Sequence, residues 1–330
     1  MIRAARGLVI LAVFATAVSA QTPPLRAAAT IPLPDVAGRI DHLAYEPATQ
    51  HLFVAALGNN TVEVVDAGTN THLRSLKGFH EPQGLAIVPD VNGIAVANGG
   101  TGTLQLIDST SLQVRWTTPI AGDADNVRYD AGSKRIFVAA VGGLYAVDPS
   151  TGKVTSKIAI DGHPESFQLE QQGSRVFANL PGLISSQLIA GDRASWSVQS
   201  KWSSCSGNYP MALDETGHRL FVGCRRPASL ATVDNQSGRI IGTFSTVGDT
   251  DDLFYDADRQ RIYVIGGEGA VDILARDGDS VRRIVRVTTR DGARTGLWVP
   301  SIKKLFVAAP ARGGAGAEIR VFDASTDDFR

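Results

Sequence analysis

Seven polar residues recur at one position along the chain: Asp41, Gln83, Asp125, Glu165, Tyr209, Asp251 and Arg294. Each stands two residues before a short apolar run. One place closer come His42, Gly84, Asn126, Ser166, Pro210, Asp252 and Thr295, and Glu81, Asp123, His163, Asn208 and Asp249 lie just upstream. Carboxylates, an amide, a phenol and a guanidinium at one recurring position could form a polar binding site, provided the fold gathers them. Crowded carboxylates raise one another's pKa or recruit a cation. Asp249-x-Asp251-Asp252 and Asp123-x-Asp125-Asn126 offer the hard oxygen donors that calcium takes, although neither is an EF-hand loop. His42 and His163, with Glu81 and Glu165, add donors that suit zinc. The metal expectation thus rests on Asp125, Asp251, Asp252, His42 and His163, holding a divalent cation, calcium or zinc. Arg294 either holds a substrate carboxylate or neutralises Asp251 and Asp252. The plainer account is that strand ends are polar anyway, and that Asp and Asn satisfy free backbone groups there.

The elements that would position these residues follow from an internal repeat. LAYEPATQHLFVAAL (43–57), VRYDAGSKRIFVAAV (127–141), MALDETGHRLFVGCR (211–225) and four similar segments share one pattern. Phe53, Ala95, Phe137, Phe177, Phe221, Tyr263 and Phe306 mark the same place in each, about 42 residues apart. Two alternating runs joined by a turn read as an antiparallel hairpin. A third run follows, such as TVEVVDA (61–67), closed by an Asp that can bond the turn backbone. A fourth completes the unit, such as KVTSKIAI (153–160). Four strands in about 42 residues, seven times over, predict an all-β, seven-bladed β-propeller with four-stranded blades. The blades fall at about 38–79, 80–122, 123–162, 163–207, 208–248, 249–290 and 291–330. The seventh repeat lacks a fourth strand, and AAATIPL (27–33) is unassigned. The expectation is that this N-terminal strand completes the last blade and closes the ring, so that 21–330 form one domain. In the fourth repeat the third run, LISSQLIAGDRASW, is irregular, and a longer loop is expected there.

Bulk properties narrow the setting. Arg3 and Arg6, then GLVILAVFATAV, then small residues at Val18-Ser19-Ala20, read as a signal peptide over 1–20. The expected location is therefore outside the cytoplasm, periplasmic or extracellular, with no membrane span. Lys plus Arg number 32 and Asp plus Glu 33, a formal net charge of −1. That argues against a nucleic-acid partner. Cys205 and Cys224 either form a disulfide, which export permits, or remain buried thiols. The chain holds no HExxH, GxSxG, P-loop or dinucleotide fingerprint. The basic run VRRIVRVTTR (281–290) reads as a charged, solvated blade edge.

HLFVAALGNNTVEVVD (51–66), RIFVAA (135–140), RLFVGC (219–224) and KLFVAAP (304–310) resemble the YVTN-type, YncE-like family of seven-bladed propellers. Asn59-Asn60-Thr61-Val62 is similar to the family's N-S-V strand start. The resemblance covers nearly all of the chain beyond residue 20. It implies an exported protein, and many members have no assigned chemistry. Other propellers include calcium- or zinc-dependent lactonases and subunits of quinoprotein dehydrogenases. In a propeller the first strand of each blade lines the central channel, so the seven recurring positions would converge at its mouth. The expected function is a monomeric binding or scaffold propeller taking a small-molecule ligand or a protein partner there. The alternative is a metal-dependent, lactonase-like hydrolase. In it a channel cation would polarise a carbonyl and a carboxylate would act as base.

Overall fold

The computed structural model describes residues 23–182 and 185–324. The expected signal peptide lies outside the described residues. The described chain forms seven antiparallel sheets, each of four strands. The innermost strands are Leu43–Glu46, Pro82–Val88, Val127–Asp130, Phe167–Leu169, Asn208–Asp214, Thr250–Asp256 and Thr295–Val299, in blades one to seven. Each packs beside the innermost strand of the next blade, and the seventh meets the first. They surround the channel.

The alternating sequence explains this geometry. In the second strand of each blade, both faces pack between neighbouring sheets, and the run becomes continuously apolar. Phe53, Phe137, Phe177, Phe221, Tyr263 and Phe306 are all fully buried there. Burying such a ring is worth about 1.5–3 kcal/mol. The outer strands face water on one side and alternate, as Ser197–Ser204 and most of Val114–Pro119 do. The Asp that closes the third strand caps the following turn. The Asp66 carboxylate accepts from the Gly68 and Thr69 amides at 2.8 Å each, and Asp234 accepts from Gln236 and Ser237 at 3.1 and 2.9 Å. The Thr69 amide, above all, holds the Asp66 carboxyl below its usual range.

Leu25–Pro32 is the fourth strand of blade seven. It pairs antiparallel with Glu318–Ala324, with Arg26 opposite Asp323 and Ile31 opposite Ile319. Behind it, Ile31, Val54, Val65, Phe306 and Ile319 share one core cluster that joins blades seven and one. In blade four, residues 183 and 184 of the third run lie outside the described residues, and the rest includes a strand, Ser186–Asp192, paired with Arg175–Leu180 on one side and Ser197–Ser204 on the other. The polar residues of that run did not forbid pairing, because Leu188, Ile189 and Ala190 still reach the core. The basic run also does more than blunt an edge. Arg283 and Arg286, on the outer strand of blade six, both pair with the fully buried Asp272 on the third strand. Cys205 and Cys224 are joined by a disulfide, with Cα atoms 5.8 Å apart. It ties the segment leading into blade five to that blade's second strand.

Candidate functional site

The residues before the innermost strands are placed by one repeated backbone pattern. The Asp41 amide donates to the Ala55 carbonyl (2.7 Å), that of Asp125 to Ala139 (2.9 Å) and that of Glu165 to Asn179 (3.0 Å). In return, the Ala55, Ala139 and Asn179 amides bond the carbonyls of His42, Asn126 and Ser166. Equivalent side chains thus enter the channel at one level. Asp41, Asp125, Glu165, Tyr209 and Asp251 line its constriction, with His42, Asn126 and Ser166 one residue further along. Arg39 also lines it, a residue the sequence reading passed over in Gly-Arg-Ile-Asp-His-Leu.

Gln83 and Arg294 do not join this ring. Gln83 donates to the Asp123 carboxylate at 2.8 Å, and Arg294 pairs with Asp249 at 3.0 Å. Neither Asp251 nor Asp252 is neutralised by Arg294. The cation on Asp251 is Arg225, whose Nε also donates to the Thr250 carbonyl at 2.9 Å. Its guanidinium lies 3.6 Å from the centre of the Tyr209 ring, a cation–π contact. Blade two has Gly84 where blade one has His42. A Cβ there would come within 2.1 Å of the Asp125 carbonyl, so glycine lets blades two and three approach.

His42 is the hub of the constriction. Its Nδ1 lies 3.2 Å from the Asp252 carboxylate, and its Nε2 lies 3.0 Å from the Asn126 amide and 3.6 Å from Asp41. Burial pulls the imidazole pKa down, but Asp252 and Asp41 override it and raise the pKa to about 10. His42 is therefore a cation that donates from both nitrogens. The Asn126 oxygen, buried without a partner when its amide nitrogen faces His42, is satisfied once the amide turns and accepts from Nε2.

The carboxylates divide accordingly. Burial, with Asp41 nearby, raises the Asp125 pKa well above its ordinary value. Asp251 is pushed up to about 6 by burial, held back by Arg225. His163 lies 3.5 Å from Glu165 and donates to the Asp123 carbonyl at 2.9 Å. Burial lowers its pKa, yet the Glu165 contact prevails and lifts it to about 9.

These pairings bear on the metal expectation. Among the described residues, no three His, Cys, Asp or Glu side chains form a group that could hold a metal ion. Asp125, Asp251, Asp252, His42 and His163 do not make one ligand set. His42 lies between Asp252 and Asn126, Asp251 is held by Arg225, and Asp252 also accepts from the Gly296 amide (2.9 Å). The two Asp-x-Asp pairs have a backbone reason instead. Asp123 (φ +53°) and Asp249 (φ +53°) occupy the left-handed position that Gly207 and Gly292 take in blades five and seven. Asp tolerates that conformation better than most residues.

Space at the mouth lies to one side. The constriction itself encloses only about 20 Å³, room for one water. Beside it, between blades four and five, a cavity of about 540 Å³ is bordered by ring residues Glu165 and Tyr209 and by His163, Gln187, Lys201 and Arg226.

This closed ring of four-stranded blades agrees with what comparison with known proteins finds. Residues 10–239 match the YNCE-like beta-propeller family. The chain belongs to that family. Among solved structures, this YNCE-like propeller is similar to Kuenenia stuttgartiensis hydrazine synthase, with a TM-score of 0.77 at 16% identity over 89% of this chain and 97% of that one. That likeness is one of fold. A curated relative, Bacillus subtilis YwhL, described as an uncharacterized protein, is 27% identical over 127 residues, 38% of this chain. The match spans 28% of that relative's length.

Proposed function

We propose that this YNCE-like propeller is an exported, monomeric binding protein that takes a small polar molecule at the channel mouth. The observation that carries this reading is the cavity of about 540 Å³ bordered by Glu165 and Tyr209. Its volume suits a small ligand. Two carboxylates, Asp161 and Glu165, face three cations, His163, Lys201 and Arg226, along its border. A ligand carrying both a hydrogen-bonding body and an anionic group suits that balance. The ring behind it is held by its own ion pairs and serves as a rigid floor. The disulfide supports an oxidising location, in keeping with the apolar N-terminal run. Among the described residues no helix is long and apolar enough to cross a membrane. The hydrolase alternative needs several carboxylates and imidazoles free to hold a cation together, and His42, Asp251, Asp252 and His163 are each engaged with another charged side chain.

Thermal-shift titration with a panel of sugars, amino acids and dicarboxylic acids tests the reading. At least one compound is expected to raise the melting temperature of the wild type, and the rise should shrink in Arg226→Ala and Tyr209→Phe. If no compound shifts the wild type, or the shift survives both substitutions, the mouth is not the binding site.

A further inference from the structure

The channel does not end at the ring. On the far side of His42, Asn126 and Asp252 it widens into a second cavity of about 490 Å³. Its walls are the bodies of the innermost strands, with Tyr45, Ile87, Phe254, Leu297 and Trp298 among them. Most of these side chains are only partly buried, so solvent reaches the space. The mouth is ringed by paired charges, whereas this half of the channel is largely apolar and aromatic. One charged residue stands out in it.

Arg128 lies in this cavity without an anionic partner. Among the described residues, no carboxylate comes within ion-pair distance of its guanidinium. One Nη donates to the carbonyl of its own neighbour Val127 (2.9 Å), and the group lies 5.6 Å from the centre of the Phe167 ring. A guanidinium has five N–H donors, so most of its capacity is unused by the protein. Other part-buried arginines are paired: Arg193 with Asp130, Arg175 with Glu170, Arg225 with Asp251, and Arg276 with Asp214. Asp130, on the same strand, and Asp252, on the cavity wall, are already committed. Asp130 is held by Arg193, and Asp252 by His42 and the Gly296 amide. Burial lowers the Arg128 pKa more than Asp252 and Asp125 raise it, the mark of a cation poorly compensated by its surroundings.

Charge counting gives the same answer. The ionisable side chains bordering the cavity, apart from its phenols, are Arg128, His42 and Asp252. His42 and Asp252 pair with each other, so the charge left over on the cavity wall is that of Arg128, and an entering monoanion would neutralise it. Carboxylate matches the planar fork of a guanidinium. The aromatic and aliphatic walls would cover an apolar body attached to it, and the volume lies within the range of small-molecule sites.

We propose that this half of the channel is a second binding site, for a small amphipathic monocarboxylate whose carboxylate sits on Arg128. The ligand's apolar body lies against Tyr45, Phe254, Leu297 and Trp298. The site is separated from the mouth by the His42–Asp252 pair, and it does not depend on the mouth binding anything.

Calorimetric titration of the full chain with octanoate and 3-phenylpropionate, beside octanol and 3-phenylpropanol, tests the proposal. At least one carboxylate should bind with one-to-one stoichiometry, and its alcohol should bind roughly tenfold more weakly or not at all. Arg128→Gln should weaken the carboxylate by about tenfold or more, and Arg128→Lys by less, since it keeps the charge but not the fork. Arg128→Gln should melt no lower than the wild type, because it removes a charge the protein leaves unpaired. The proposal falls if neither carboxylate binds at millimolar concentration, if the alcohols bind as tightly, or if Arg128→Gln binds unchanged. Should that variant fail to fold, the comparison of carboxylate with alcohol on the wild type still decides.

Discussion

At the scale of single residues, His42 decides the character of the channel. A neutral histidine between two carboxylates could ligate a metal or accept a proton from a substrate. With its pKa raised to about 10, His42 is instead a structural cation that separates Asp41 from Asp252. Its pKa in the folded protein, about 10, lies above the ordinary value of 6.5. Its contribution to stability is therefore complete below pH 6.5 and is lost as pH rises through 10. Asp251 and Asp125 work in the same sense at lower pH. A carboxyl whose pKa is raised by folding favours the folded state below its unfolded value, and for Asp251 that contribution is gone above about 6. NMR titration of the imidazole should show His42 still protonated at pH 9. His42→Gln should cost about 3 kcal/mol near neutrality, by leaving buried carboxylates unpaired. It should also flatten the fall in stability between pH 7 and 10. An imidazole that titrates near 6.5 would refute the charge assignment.

At the scale of elements, the two ends of the innermost strands have different tasks. The starts carry the ring. The ends carry buried acids, Glu46, Asp130, Glu170, Asp214 and Asp256, two of which brace neighbouring blades. Asp130 of blade three pairs with Arg193 of blade four, and Asp214 of blade five with Arg276 of blade six. Arg193 further donates to the Gly173 carbonyl at 2.7 Å. Removing one member of such a buried pair leaves the other unsatisfied, so Arg193→Ala should cost about 3 kcal/mol. Denaturant melts of Arg193→Ala, Asp130→Ala and the double variant check this. The double variant should lose clearly less than the sum of the singles, and strict additivity would show that the pair is not coupled. The strands themselves were legible, because alternation is a local property. The Asp-x-Asp pairs were legible as residues, but the positive φ at Asp123 and Asp249 is a demand of the backbone that sequence alone does not display.

At the scale of the whole molecule, stability depends on closure. Leu25–Pro32 covers the edge of Glu318–Ala324 and buries Leu25 and Ile31. Those two side chains alone are worth roughly 2 kcal/mol each. A chain beginning at Pro34 should melt at lower temperature and self-associate through the uncovered edge. Size-exclusion chromatography and thermal melts of that truncation read both effects, and a monomer of unchanged melting temperature would mean that the strand does not hold the ring.

The sequence by itself determined the number of blades, the strands within them, the closing strand and the level at which polar side chains meet the channel. These follow from a repeat and from alternation, both written along the chain. Tertiary structure alone decided which of those side chains pair. His42 finds Asp252 across 210 positions of sequence and Asn126 across 84. Arg39 and Arg225, not Arg294, reach the ring. Among the described residues Arg128 is left without an acid. Such choices depend on channel width, blade spacing and rotamer, and burial then sets which groups carry charge. A pattern of residue types records none of these.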